Sequence, residues 1–197
     1  MISVLIPTIP GREAELFQVT AAYKDQHGDD VEVLTILGYS WGTGCNLLAA
    51  EAKGDYLLCA TDDTVPWEGW FEAGRPLVDE GYCPASRYLH PDGTPLHTRD
   101  ERPHMADVDW TRSWLITPQV FREIGPMIDA TWWADIDYSE RMIAAGYPIV
   151  GCDGFAWTHL PTERDWLTPD EEQRQREVYE QHRRPDIPRH VPFWNDP

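Results

Sequence analysis

The sequence predicts a single α/β domain in which a mostly parallel central sheet is flanked by helices. Three observations carry that expectation. Short apolar runs, Ile2 to Ile6, Val31 to Leu37 and Tyr56 to Ala60, recur along the first third of the chain, and runs of that length bounded by turn residues suit strands buried inside a sheet. Helical patterns separate them, so the order is strand, helix, strand, helix, strand, which favours parallel strands joined by right-handed crossovers. The length of 197 residues lets one domain bury a core without disulfides.

Taken in order, the first strand ends at Pro7 and Thr8, and Pro10-Gly11 turn the chain into a helix with apolar positions at Leu16, Val19 and Tyr23. Gly28, Asp29 and Asp30 close it. Val31 to Leu37 is the second strand. Gly38 to Gly44, reading GYSWGTG, is expected as a glycine-rich loop and Asn46 to Ala52 as a compact helix. That loop lacks the lysine of a P-loop and the spacing of a dinucleotide fingerprint. The stretch KGDYLLCATDDTVP, Lys53 to Pro66, then reads as a buried strand that delivers Asp62 and Asp63 to the carboxyl edge of the sheet, where ligands collect in open α/β folds. Adjacent carboxylates repel when ionised, and a divalent cation with oxygen ligands relieves the repulsion. A solvated acidic turn is the other reading of the same pair.

Beyond Pro66, a helix from Trp67 to Glu80 and a strand from Tyr82 to Leu89 lead into a Pro-Asp-Gly turn after His90. The polar segment Thr98 to Asp107 is a candidate loop over the site, and Asp107 to Thr117 returns to a strand pattern. Pro118 opens a short helix. An irregular aromatic segment follows, ending in Trp132-Trp133 and a helix from Asp135 to Ala145 stopped by Gly146. Ile136, Ser139, Met142 and Ile143 are expected on its inner face, with acids in the first turn, where the helix dipole favours them. Tyr147 to Cys152 is a strand, and Phe155 to His159 continues as a short extended piece. Residues 1–160 form the main unit. Within 161–197, Thr168-Pro-Asp-Glu171 reads as a capping box opening a charged helix through Arg184. A proline-rich arm follows, packing on the domain or on a second copy as a homo-oligomer contact.

Composition narrows the partners. Sixteen basic against 34 acidic residues give a formal charge of −18, a field that disfavours nucleic acid and anionic membranes. A phosphorylated ligand would need a metal or local cations to overcome it. Ten tryptophans suit carbohydrate recognition, core filling, or both. Cys45, Cys59, Cys83 and Cys152 lack metal or redox spacing and read as buried free thiols. The chain shows no basic leader, signal-like apolar region or membrane-length run, so the expectation is a soluble, cytoplasmic protein with no transmembrane segment.

Three motifs taken together, VLIPTIPGR, NLLAAEAKGDYLLCATDDTVP and WWADIDYSERMIAAGY, resemble the inverting glycosyltransferases of the GT-A fold, particularly the large family 2, over most of residues 1–160. The resemblance implies a Rossmann-like GT-A sheet and a nucleoside diphosphate-sugar donor, with Mn²⁺ or Mg²⁺ held against the diphosphate. Asp63 would be a direct metal ligand and Asp62 would face the ribose or donor sugar, with Thr61 standing where many relatives have a first aspartate. Pro7 and Thr8 match the turn that contacts the nucleotide, and Arg12 would sit near base or phosphate. Asn46 matches an asparagine common at the start of the next helix, where helix capping explains it equally well. Leu37-Gly38 stand where many relatives carry an acid that reads the base.

Asp135, six residues before Arg141, matches the catalytic base of the family, with Ala134 replacing the first acid of its pair. Asp137 is the rival, about 200° around the helix from Asp135 at ~100° per residue. His159, in FAWTHL, would complete the metal shell, and imidazole beside carboxylate suits Mn²⁺ somewhat better than Mg²⁺. Trp133, with Trp132, is a candidate sugar platform, with core packing as the alternative. The implied activity is metal-dependent transfer of a sugar from a nucleoside diphosphate donor to an acceptor hydroxyl with inversion. A non-catalytic nucleotide-sugar or carbohydrate-binding module of the same fold is the alternative, motivated by Thr61 and Ala134. A nucleotidyltransferase ranks third, since no basic phosphate loop follows the first strand. Neither acceptor nor donor base can be read from the chain.

Overall fold

A strand buried on both faces must offer apolar side chains alternately to two cores, and β1 (Ile2–Thr8) does so. Val4 and Ile6 join one cluster, with Val19, Tyr23, Leu58, Trp70 and Trp157. Leu5 joins the other, with Trp41, Leu48, Leu57, Trp114 and Tyr138. The result is a sheet between two helical layers, as the sequence predicts. The computed structural model describes residues 1–94, 113–161 and 168–182.

After β1 come α1 (Glu13–His27), a 3-10 turn at Gly28–Asp30, β2 (Val31–Leu37), α2 (Trp41–Glu51), β3 (Tyr56–Cys59) and β4 (Thr64–Pro66). Then follow α3 (Trp70–Asp79), β5 (Cys83–Leu89), β6 (Trp114–Ile116), α4 (Pro118–Ile124), α5 (Ala134–Ala144), β7 (Ile149–His159) and α6 (Pro169–His182). The sheet order is β2-β1-β3-β6-β5-β7-β4. β1 pairs in parallel with β2 and β3, and β5 with β7, while β6 and β4 run against the other five strands. The sheet is therefore mixed and mostly parallel.

Four expectations need correction. GYSWGTG is not a loop throughout: α2 begins at Trp41, with Ser40 as its N-cap accepting from the Thr43 amide. Its glycines serve packing. A Cβ on Gly42 would lie 2.1 Å from the Ile128 carbonyl oxygen, and one on Gly44 2.6 Å from the Pro7 ring. Asn46 consequently lies inside α2 and caps nothing. The two extended pieces expected after Tyr147 are one eleven-residue strand, β7, whose register with β5 shifts between Ala85 and Arg87. On α5 the buried residues include Asp137, Tyr138 and Glu140 beside Ser139 and Met142, while Ile136 and Ile143 are only partly covered. Finally, Thr168 accepts from the Glu171 amide at 3.3 Å, but the Glu171 carboxylate turns to Arg174 and Gln175 and does not close a capping box.

The Pro-Asp-Gly turn forms as expected, with the Gly93 amide donating to the His90 carbonyl. All four cysteines are free, and Cys45, Cys59 and Cys83 are buried. No helix among the described residues is long and apolar enough to cross a membrane. The candidate loop Thr98 to Asp107 and the proline-rich arm lie outside the described residues.

Candidate functional site

Register alone brings the first site residues together. Leu5 of β1 pairs with Cys59 of β3, so three residues further along each chain Thr8 stands opposite Asp62. The Thr8 hydroxyl donates to Asp62 Oδ2 at 2.7 Å, and both residues are buried. The next turn supplies a cation: Arg12, 8% exposed, places Nη1 3.2 Å from Asp63 Oδ2 and 3.5 Å from Asp62 Oδ1. Burial pushes the Asp62 carboxyl above its usual range, and the Asp63 charge adds to the shift. The Thr8 hydroxyl, the Arg12 guanidinium and the Ile9 amide oppose it.

β4, which the sequence reading missed, completes the cluster. It pairs antiparallel with the end of β7, setting Thr64 against His159, and the Leu160 amide donates to the Asp63 carbonyl. His159 Nε2 comes 3.5 Å from Asp63 Oδ2, while Asp63 Oδ1 accepts from the Thr61 hydroxyl at 2.7 Å. One carboxylate oxygen is thus oriented by threonine and the other faces imidazole. An oxygen and a nitrogen at that spacing fit two neighbouring ligands of one Mn²⁺- or Mg²⁺-class ion. Among the described residues no group of three or more His, Cys, Asp or Glu could hold a metal. Asp63 and His159 would therefore hold such an ion as a pair, and the same Asp63 Oδ2 also meets the Arg12 guanidinium.

Asp135 lies in the first turn of α5, its Oδ1 accepting from the Ile136 amide, and it is partly exposed. Asp137 differs sharply. It is 1% exposed, and its Oδ2 accepts from Arg141 Nε at 3.0 Å and Nη2 at 2.8 Å. Arg141 also donates to the carbonyls of Ile124 and Pro126, so this pair ties α5 to the chain before it. Trp41 connects the two regions of the site: its indole donates to the Ala60 carbonyl, just before the acids, and its amide donates to the Thr131 hydroxyl, four residues before Asp135.

Asn46 and Trp133 are occupied by the protein itself. The Asn46 side chain exchanges two hydrogen bonds with the Met127 backbone, at 2.9 and 2.8 Å. Trp133 sits just before α5 with φ 73°, a left-handed conformation that costs a non-glycine residue about 1–2 kcal/mol. One ring face stacks on Tyr179 with centroids 5.3 Å apart, and the Arg176 guanidinium lies 5.9 Å from the ring centre. Pro7 is buried in β1 against α2.

No protein-family model matches the chain, and no curated protein matches it in sequence. Among solved structures it is similar to S. aureus TarS, with a TM-score of 0.66 and 10% identity over 90% of this chain and 38% of that one. A crystal structure of TarS residues 1–349 in complex with UDP-GlcNAc gives 0.66 and 11% identity, over 90% and 65%. The same fragment in a further crystal structure gives 0.64 and 10%, over 81% and 60%.

The chain has a GT-A-like fold.

It spans less than two thirds of each of these TarS chains. Within the GT-A-like sheet, the cluster of Thr8, Arg12, Asp62, Asp63 and His159 occupies the edge beyond the ends of β1 and β3, the ligand edge of open α/β sheets. Sequence reasoning placed all five residues there but missed that Arg12 pairs with the acids. It also missed Gln175 and Tyr179 of α6. Their only signal was an i, i+4 spacing within a charged helix.

Proposed function

We propose that the protein is a glycosyltransferase that takes its sugar from a nucleoside diphosphate donor, with inversion at the anomeric carbon and a divalent cation at Asp63 and His159. The observation that carries this reading is the convergence of Asp62, Asp63, Arg12 and His159 at the ligand edge of a GT-A-like sheet. A protein of charge −18 repels a diphosphate, and Arg12 is buried cationic charge held where such a ligand would lie. A bound Mn²⁺ or Mg²⁺ would offset charge developing on the leaving diphosphate. Thr8 and Arg12 hold the acids in place, and Asp62 is oriented toward the ribose or sugar. Asp135 takes the proton of the acceptor hydroxyl as its oxygen bonds to the anomeric carbon and the bond from that carbon to the phosphate oxygen breaks. Asp137, committed to Arg141, is not available for that role.

Because the similar TarS structure contains UDP-GlcNAc, UDP and UDP-GlcNAc are the first ligands to test, by calorimetric titration with Mn²⁺ and with chelator. Manganese-dependent binding that weakens at least tenfold in Asp63→Ala is the expected result, and no binding to any nucleoside diphosphate in either condition would sink the reading. The alternative, a binding module without turnover, rests on Thr61 and Ala134 standing where relatives carry acids. Retained donor binding with no release of UDP by the wild type would favour it.

A further inference from the structure

We infer that α6 is a clamp on the segment that presents Asp135, and that Gln175 is its positioning residue; this rests on the reading of Asp135 as the base. Of the fourteen residues of α6 only Gln175 and Tyr179 are buried, one helical turn apart, and the rest of the helix is largely charged. A helix that merely covered a core would present an apolar stripe. Here a polar side chain, 2% exposed, is the anchor. Gln175 Oε1 accepts from the amides of both Thr131 and Trp132, at 3.0 and 2.7 Å, and its Nε2 donates to Glu171.

Those two amides lie immediately before Trp133, whose left-handed backbone sets the direction in which α5 starts, with Asp135 in its first turn. Strained backbone persists where its surroundings over-determine it. Tyr179 stacks on the Trp133 ring and donates to buried Glu140 Oε1 at 3.0 Å, so α6 grips both the Trp133 ring and the body of α5. α2 also pins the same segment: the Gly42 amide donates to the Ala130 carbonyl, and Thr43 and the N-cap Ser40 donate to Asp129. The segment 128–133 is therefore held by two helices, of which α6 supplies the contacts nearest Asp135.

The test compares wild type with Gln175→Leu, which removes the acceptor at similar size, and with Gln175→Glu combined with Glu171→Gln, which keeps acceptor oxygens without setting two carboxylates against each other. Two readouts are needed: amide exchange of Thr131 and Trp132, and kcat and KM for UDP release from UDP-GlcNAc. In Q175L both amides exchange at least tenfold faster while amides of β1 and β3 are unchanged, and kcat falls at least tenfold with KM within about threefold. The double variant E171Q/Q175E restores both readouts toward wild type. Gln175→Asn, one methylene short, gives a milder form of the same pattern and replaces Q175L if that variant does not fold. Unchanged exchange at Thr131 and Trp132 overturns the clamp, as does a uniform loss of protection across the molecule or an unchanged kcat once the two amides are freed. A wild type that releases UDP from no nucleotide sugar overturns the transferase reading instead, while the exchange measurement still decides whether α6 holds the segment.

Discussion

Asp135 and Asp137 are the same amino acid two positions apart, and packing gives them different surroundings. Asp137 is buried against Arg141 in a two-point ion pair, whereas Asp135 keeps a partly exposed carboxylate in the first turn of α5. Breaking a buried pair by removing one charge leaves the other uncompensated. Asp137→Asn should therefore cost about 3 kcal/mol of stability, read from denaturant midpoints. Asp135→Asn should shift stability by less than about 0.5 kcal/mol yet lower the rate of UDP release about 100-fold or more. A reversal of the two phenotypes would exchange their roles. The sequence showed both acids and their helical separation but left the choice open. That choice depends on which side of α5 meets the segment at Ile124 and Pro126, which side-chain pattern alone does not encode.

The helices carry the next level of information. In α2, glycines that read as part of a glycine-rich loop in the sequence are close-contact positions, because the helix lies against the 125–133 segment and against Pro7. Gly42→Ala drives a methyl group into the Ile128 carbonyl oxygen, 2.1 Å away with no flexible atom to yield. The expected loss is about 3 kcal/mol, measured by chemical denaturation, together with weaker turnover because the displaced segment leads to Asp135. In α6 the ion pair with Arg174, and then the hydrogen bond from Gln175, lower the Glu171 carboxyl from its usual 4.5 to about 2. With the folded value below the unfolded one, the stabilisation is fully present above pH 4.5 and disappears as pH falls toward about 2. Acidification through that window should loosen the Glu171 contacts before the fold is lost, seen as a shift of the Gln175 side-chain amide resonances. Glu171→Gln should remove that transition, and resonances that stay fixed until the core melts would contradict it.

For the whole molecule, the main problem is charge. A field of −18 opposes any diphosphate approaching from solvent, so under the proposed function donor affinity would have to be built locally. At the sheet edge the fold closes Arg12 and His159 around Asp62 and Asp63 from three separate stretches of chain. Two of these, the turns after β1 and β3, converge because parallel strands in register end at the same edge. The third arrives only because β4 turns back and pairs with β7.

Periodicity and turn chemistry determined the α/β class, the first three strands, the helix read as Asp135 to Ala145 and found at Ala134–Ala144, and the placement of Asp62, Asp63 and Asp135 at strand or helix ends. These features follow from local rules, in which apolar spacing and glycine or proline act within a few residues. Tertiary structure alone decided that Arg12 pairs with the acids, that three-residue β4 exists, that Asp137 is buried against Arg141, and that Gln175 and Tyr179 meet the segment leading into α5. Each of these depends on partners 39 to 51 residues distant or more in the case of β4, except Asp137, whose burial depends on how α5 seats against the chain before it. Only long-range pairing energy selects such contacts, and a three-residue strand or a lone glutamine in a charged helix carries no local signature of them.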